Sequence, residues 1–149
     1  MFLDQLDTLT RAVDAARAKD RKGYKTNANT KLLAAINTIA FERIPADPTD
    51  ARYRLGNTLG ADYRHWFRDK FGNGRFRLFF RFDTKSKIIV YAWVNDAETK
   101  RTYGAKNDAY AVFTKMLNDG NPPDSWAKLV AECSRPSVVS KVRETFAKR

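Results

Sequence analysis

The strongest constraint on this fold lies in residues 64–95, where side-chain character alternates with a period of two. Successive side chains of a strand point to opposite faces. Arg64, Trp66, Arg68 and Lys70 therefore share one face, and His65, Phe67, Asp69 and Phe71 the other. Gly72-Asn73-Gly74 comes next, a hairpin signal because Gly and Asn tolerate the positive φ that such turns demand. On the returning strand Phe76, Leu78, Phe80 and Phe82 oppose Arg75, Arg77, Phe79 and Arg81. After Asp83-Thr84-Lys85-Ser86 a third strand over 87–95 sets Ile88, Val90, Ala92 and Val94 against Ile89, Tyr91 and Trp93. The expectation is an antiparallel meander.

The period on either side of it is helical. Phe2, Leu6, Leu9, Val13 and Ala16 form one stripe, closed by Asp20-Arg21-Lys22-Gly23. Leu32, Leu33, Ile36, Ile39 and Ala40 form a second within 26–43, before Pro45 and Pro48 end the helical pattern. Beyond the sheet, Ala109, Val112, Phe113, Met116 and Leu117 predict a helix that stops at Gly120 and Pro122-Pro123. Trp126, Leu129, Val130 and Cys133 mark a shorter one. From Pro136 the stripe Val138, Val142, Phe146 is weaker, as of a helix that forms only on contact. The order is α-α-β-β-β-α-α, an α+β domain with an N-terminal helical hairpin, a β-meander and C-terminal helices. Residues 1–133 read as a single domain and 134–149 as a basic C-terminal extension.

Charge directs the search for a partner. The chain has 28 Lys plus Arg against 17 Asp plus Glu, a formal net charge of +11, which favours polyanions. Arg64, Arg68, Lys70, Arg75, Arg77 and Arg81 oppose only Asp69 and are interleaved with Trp66, Phe67, Phe71, Phe76, Phe79 and Phe80. That mixture suits a strand-borne nucleic-acid surface or, equally, a solvated edge over ordinary core aromatics. With helices on one face, the other would expose the cations beside Trp66, Tyr91 and Trp93, although Tyr91 and Trp93 fit a core under a C-terminal segment equally well. No apolar run is long enough for a bilayer span, so no membrane partner and a cytosolic location are expected.

Much chemistry is excluded. One cysteine, Cys133, rules out an internal disulfide and a cysteine-cluster zinc site. One histidine, His65, rules out any mechanism that needs a histidine pair, and its place on the core-side face favours a structural role. No carboxylate cluster lies near the basic face to hold two metals, and no phosphate-binding glycine loop occurs, so no metal or cofactor is expected. Chemistry that runs on cations remains. RNA is cleaved without metal when its 2′-OH attacks the adjacent phosphate while one group takes the proton, others stabilise the added charge and another protonates the leaving oxygen. A crowded lysine can take a proton because like charges disfavour its charged form, and guanidinium groups stay charged and match phosphate oxygens in pairs. Arg68, Lys70 and Arg77 fall on one face of adjacent strands within reach of one phosphate. A basic sheet can also bind nucleic acid without cutting it, or dock an acidic protein.

The run Trp66-Phe67-Arg68-Asp69-Lys70-Phe71-Gly72-Asn73-Gly74-Arg75-Phe76-Arg77-Leu78-Phe79-Phe80-Arg81 resembles the YhaV-type toxins of bacterial type II toxin–antitoxin systems, a branch of the RelE superfamily. So does Trp93-Val94-Asn95-Asp96-Ala97-Glu98-Thr99-Lys100-Arg101-Thr102-Tyr103-Gly104-Ala105-Lys106-Asn107-Asp108-Ala109-Tyr110. The resemblance implies a RelE-like fold and a metal-independent endoribonuclease that cuts mRNA, commonly with ribosome involvement. It also implies a PrlF-type antitoxin and binding of promoter DNA by the complex of the two. Carried over by position, Lys70 is the proton acceptor, Arg77 stabilises the phosphorane and Arg68 clamps phosphate. Arg101 assists the leaving group, and Tyr110 stacks on a base, with Tyr103 as a competing stacking residue. Further RNA contacts are expected from Trp66, Arg75, Arg81 and Trp93 on the sheet and from Lys106. Members of this branch begin with a β-strand, whereas this sequence opens in helical pattern at Phe2-Leu3-Asp4.

Overall fold

A computed structural model describes residues 1–96 and 108–147. Helix α1 (Phe2–Lys19) buries Phe2, Leu6 and Val13, and the basic Arg17 and Lys19 complement the dipole of its last turn. Helix α2 (Ala28–Thr38) starts at Asn27, whose side chain accepts the Asn29 N–H at 2.9 Å. A π turn (Ile39–Arg43) leads into α3 (Ile44–Ala46), which contains Pro45. The wider turn relieves the clash between a proline ring and the carbonyl four residues earlier, so the helical path outlasts the expected stop by one turn.

Strands β1 (Phe67–Phe71), β2 (Phe76–Asp83) and β3 (Ile88–Val94) form an antiparallel sheet in the order β1-β2-β3. Gly72, Asn73 and Gly74 all have positive φ, at 61°, 58° and 77°, as the hairpin signal requires, and Lys70 pairs with Arg77 across it. The alternation fails in two places. His65 lies in a turn ahead of β1, so strand faces do not extend to it. In β3, Phe79 pairs with Trp93 and Phe80 with Tyr91, which leaves Ala92 as an extra, bulged residue. The bulge reverses the phase of the residues beyond it: Val90, Ala92 and Trp93 pack in one core, and Ile89, Tyr91 and Val94 in the other.

Helix α4 (Ala109–Asn118) carries Phe113 against Phe79, their stacked ring centroids 4.2 Å apart. Together with α5 (Trp126–Cys133), whose Leu129 is buried, it covers the sheet face opposite α1 and α2. The expectation of an open basic-aromatic face is therefore corrected. Trp66 is fully buried and Trp93 9% exposed, because two layers of helix sandwich a sheet that composition suggested would have one bare side. The tail forms α6 (Pro136–Ala147), and its Lys141 is bonded to Asp4 of α1. Among the described residues no helix is long and apolar enough to cross a membrane.

Candidate active site on the covered face of the sheet

Arg68 in β1 and Arg77 in β2 point toward the start of α4, where Asp108 caps the helix by accepting the Tyr110 N–H at 3.1 Å. This sets Tyr110 on the first turn with its phenol oxygen between the two guanidinium groups. Both Arg68 Nε and Arg77 Nε donate to that oxygen, each at 3.0 Å, and the Arg77 guanidinium lies 5.4 Å from the Tyr110 ring centroid. Arg68 Nη1 also donates to the carbonyls of Arg52 and Arg54, at 3.0 and 2.9 Å, and Arg77 Nη1 to that of Gly74. Each arginine is thus aimed by one shared hydroxyl and by backbone on its far side.

The electrostatics of the pair are unusual. Arg68 is 8% exposed and Arg77 5%, yet among the described residues neither forms an ion pair with a carboxylate. Buried charges are ordinarily neutralised. Among the described residues neutral oxygens satisfy part of each five-donor fork and no carboxylate pairs with either guanidinium, an arrangement suited to an incoming anion. Lys70 comes next on the same face of β1 and is exposed, so the cationic row emerges into solvent at the hairpin end.

Asn95 completes the support. Its carboxamide accepts the Arg77 N–H at 2.6 Å and donates to the Arg75 carbonyl at 2.9 Å, locking β2 where its cations begin. Nothing in the alternation pointed to it, although it stands in the second matched run. Arg52 and Arg54 were missed as well, because they act through carbonyls and a carbonyl leaves no mark on a sequence.

Several expected RNA contacts serve the fold instead. Trp66 Nε1 donates to Asp124 Oδ1 at 2.8 Å, and His65 Nε2 meets the same oxygen at 2.6 Å. Arg81 donates to the Asp124 carbonyl and lies between Trp66 and Trp126, 5.5 and 5.3 Å from their ring centroids. Its burial pushes its pKa down from the usual arginine value. These groups fasten the start of α5 to the sheet. Trp93 stacks on Phe79 and Phe113 in the core. Arg75 is exposed beside the turn. Arg101, Tyr103 and Lys106 lie outside the described residues.

Comparison with known proteins finds curated relatives of this sequence. Toxin YhaV of Escherichia coli O6:H1 is 45% identical over 132 residues, which cover 88% of this chain and 86% of the relative. Ribonuclease toxin YhaV of E. coli K12 is 44% identical over the same coverage. No solved structure matches. Residues 1–134 match the family described as toxins with endonuclease activity of toxin–antitoxin systems, and the chain belongs to that YhaV family.

Proposed function

We propose that this endonuclease toxin is a metal-independent ribonuclease with a RelE-like fold that cleaves mRNA, including mRNA held on the ribosome, and that Arg68, Lys70, Arg77, Tyr110 and Arg101 form its catalytic set. Residues 1–133 are the toxin domain in this reading. One observation carries the site assignment: two buried arginines share the Tyr110 oxygen and have no carboxylate partner among the described residues. The name of the E. coli K12 relative supports RNA as substrate.

In the proposed reaction the 2′-OH attacks the adjacent phosphorus in line. A P–O2′ bond forms, the P–O5′ bond breaks, and the products are a 2′,3′-cyclic phosphate and a 5′-hydroxyl. Lys70 takes the 2′ proton, and the leaving 5′ oxygen, its negative charge met by Arg101, takes a proton from solvent. Arg77 and the unused donors of Arg68 face the phosphoryl oxygens, where negative charge grows in the transition state. Membership of a toxin–antitoxin system implies an antitoxin. We assign it to the PrlF type, with toxin and antitoxin together binding promoter DNA, and place the toxin in the cytoplasm.

The test is induction of the wild type beside Lys70→Ala and Arg77→Ala, with the ends of the cleaved mRNA mapped. Growth arrest with cyclic-phosphate ends, abolished in folded mutants and indifferent to chelator in the purified reaction, is the expected result. Full activity of folded Arg77→Ala, or loss of cleavage with chelator, refutes the assignment.

A further inference from the structure

Far from this site, residues 17–25 hold Arg17, Lys19, Arg21, Lys22 and Lys25 against one carboxylate, Asp20. The five cations are exposed, and among the described residues none forms an ion pair. Asp20 is already engaged: its Oδ1 accepts the Gly23 N–H at 3.0 Å, and its carbonyl accepts the Tyr24 N–H at 3.0 Å. Gly23 is needed for this closeness, since a Cβ there would lie 2.3 Å from Asp20 Oδ2. The Thr26 hydroxyl bonds the Gly23 carbonyl at 2.8 Å, and the Asn27 N–H bonds the Tyr24 carbonyl at 3.0 Å. The turn that joins α1 to α2 is therefore a fixed scaffold whose only acid serves the backbone.

Its position is fixed as well. Gln5 clamps the start of α1 to the sheet, its side chain bonding both Val94 N and Val94 O, at 3.1 and 2.6 Å. Lys19 is four turns further along, about 20 Å away at the rise of an α-helix. The cationic knob thus stands clear of the sheet, on the side opposite Tyr110.

We infer that this knob is a second RNA-binding surface, gripping phosphates of the substrate or of structured RNA beyond the segment being cut. The scarcity of apolar anchors separates RNA from the other polyanions: within 17–25 the one aromatic is Tyr24, half-buried with Arg17 5.8 Å over its ring. Protein interfaces rely on buried aromatic and aliphatic side chains, and among the described residues the exposed large apolar ones, Met1, Phe41, Ile88 and Val139, all lie elsewhere. A membrane-surface helix needs a free apolar face beside its cations, whereas α1 buries its own in the core. Cations grouped around a single half-buried aromatic, Tyr24, suit a phosphate backbone, which binds through counterion release. The inference rests on the ribonuclease reading for the identity of the polyanion.

The test combines Lys19→Gln, Arg21→Gln, Lys22→Gln and Lys25→Gln in one variant. A control removes the same charge from other exposed positions, Lys85, Lys115, Lys128 and Arg143. Binding is titrated against salt with a 2′-O-methyl oligoribonucleotide, which cannot be cut, so the outcome is independent of whether the chain cleaves. With four single-strand phosphates no longer neutralised, the slope of log affinity against log salt should fall by about 3, and affinity near 0.1 M salt by up to about 600-fold. The control should lose much less, and cleavage of a dinucleotide should be unchanged. Equal losses in both variants, or an unchanged slope, overturn the inference. So does a knob variant that keeps RNA affinity but loses the antitoxin, which would make the knob an acidic-protein surface.

Discussion

Tyr110→Phe removes one oxygen and keeps the ring. The edge-on packing of Tyr110 against Phe79, with centroids 5.8 Å apart, and the contact of the Arg77 guanidinium with the ring both survive. Two N–H donors lose their acceptor, and a buried donor left unsatisfied costs about 1–3 kcal/mol. Each Nε lies 3.0 Å from the same oxygen, so the two nitrogens are at most about 6 Å apart. At an effective dielectric of about 20, unit charges at that spacing repel by about 3 kcal/mol, so the arginines separate once the hydroxyl is gone. Their backbone bonds limit the retreat, and a net loss of about 2 kcal/mol of stability is expected. The larger effect falls on cleavage. A displacement of about 1 Å in a positioned group can cost about 100-fold in rate, and in the proposed reaction both of these cations face the phosphate. Single-turnover cleavage of a short RNA, with thermal unfolding in parallel, should show kcat down about 100-fold and KM changed severalfold at most. If Tyr110→Phe cleaves normally while Tyr110→Ala does not, the ring is a base-stacking platform and the positioning argument is wrong.

Asp69 is buried and accepts the Arg43 Nε–H at 2.8 Å, so Asp69→Asn should lower the denaturation free energy by about 1–3 kcal/mol, read as a shifted urea midpoint with an unchanged slope. Trp66→Phe loses the bond to Asp124 and weakens the contact with Arg81, and a loss of about 1–2 kcal/mol is expected in the same measurement. Phe113 stacks on both Phe79 and Trp93, so Phe113→Ala should cost about 3–5 kcal/mol and lower the melting temperature well beyond either of these. Lys141 bonded to Asp4 lowers the Asp4 pKa below its ordinary 3.8. A lowered folded-state pKa gives stability that is complete above 3.8 and lost as pH falls below it, so hydrogen-exchange protection of α6 should drop in that acid range. Asp4→Asn should show the loss at neutral pH, and unchanged protection would mean that α6 is held without this pair.

Sequence and structure agree where one element determines its own geometry. The Gly72-Asn73-Gly74 turn, the face shared by Arg68 and Lys70 and the stripe through Phe113 are local consequences of period and backbone freedom. They differ where a second element intervenes. The bulge at Ala92 depends on how β3 meets β2, so alternation assigned Trp93 and Val94 to the wrong faces. Trp66 and Arg81 carry the composition of an RNA surface, but Asp124, 58 and 43 residues further along, claims both. The functional reading came from the two long matched runs. Geometry added the shared bond of Tyr110, which no spacing between residues 68, 77 and 110 could have suggested.

The cover over the cations sets the direction from which a substrate can reach them. Trp66, just ahead of β1, is fully buried, and along one face of the strand Arg68 is nearly so and Lys70 exposed. On β2, Arg81 is held against Asp124, Arg77 is buried beneath Tyr110, and Arg75 is exposed. From Arg68 to Lys70 and from Arg77 to Arg75 exposure rises toward the β1–β2 turn, because α4 and α5 pack over the middle of the sheet. The face therefore opens at the turn, and the start of α4 both closes the inner end and delivers the phenol that aims the arginines. In the proposed reaction the scissile phosphate enters between Lys70 and Arg75 and meets Arg77 last. Bulk that narrows the turn should then slow binding, whereas bulk on the outer surface of α5 should not.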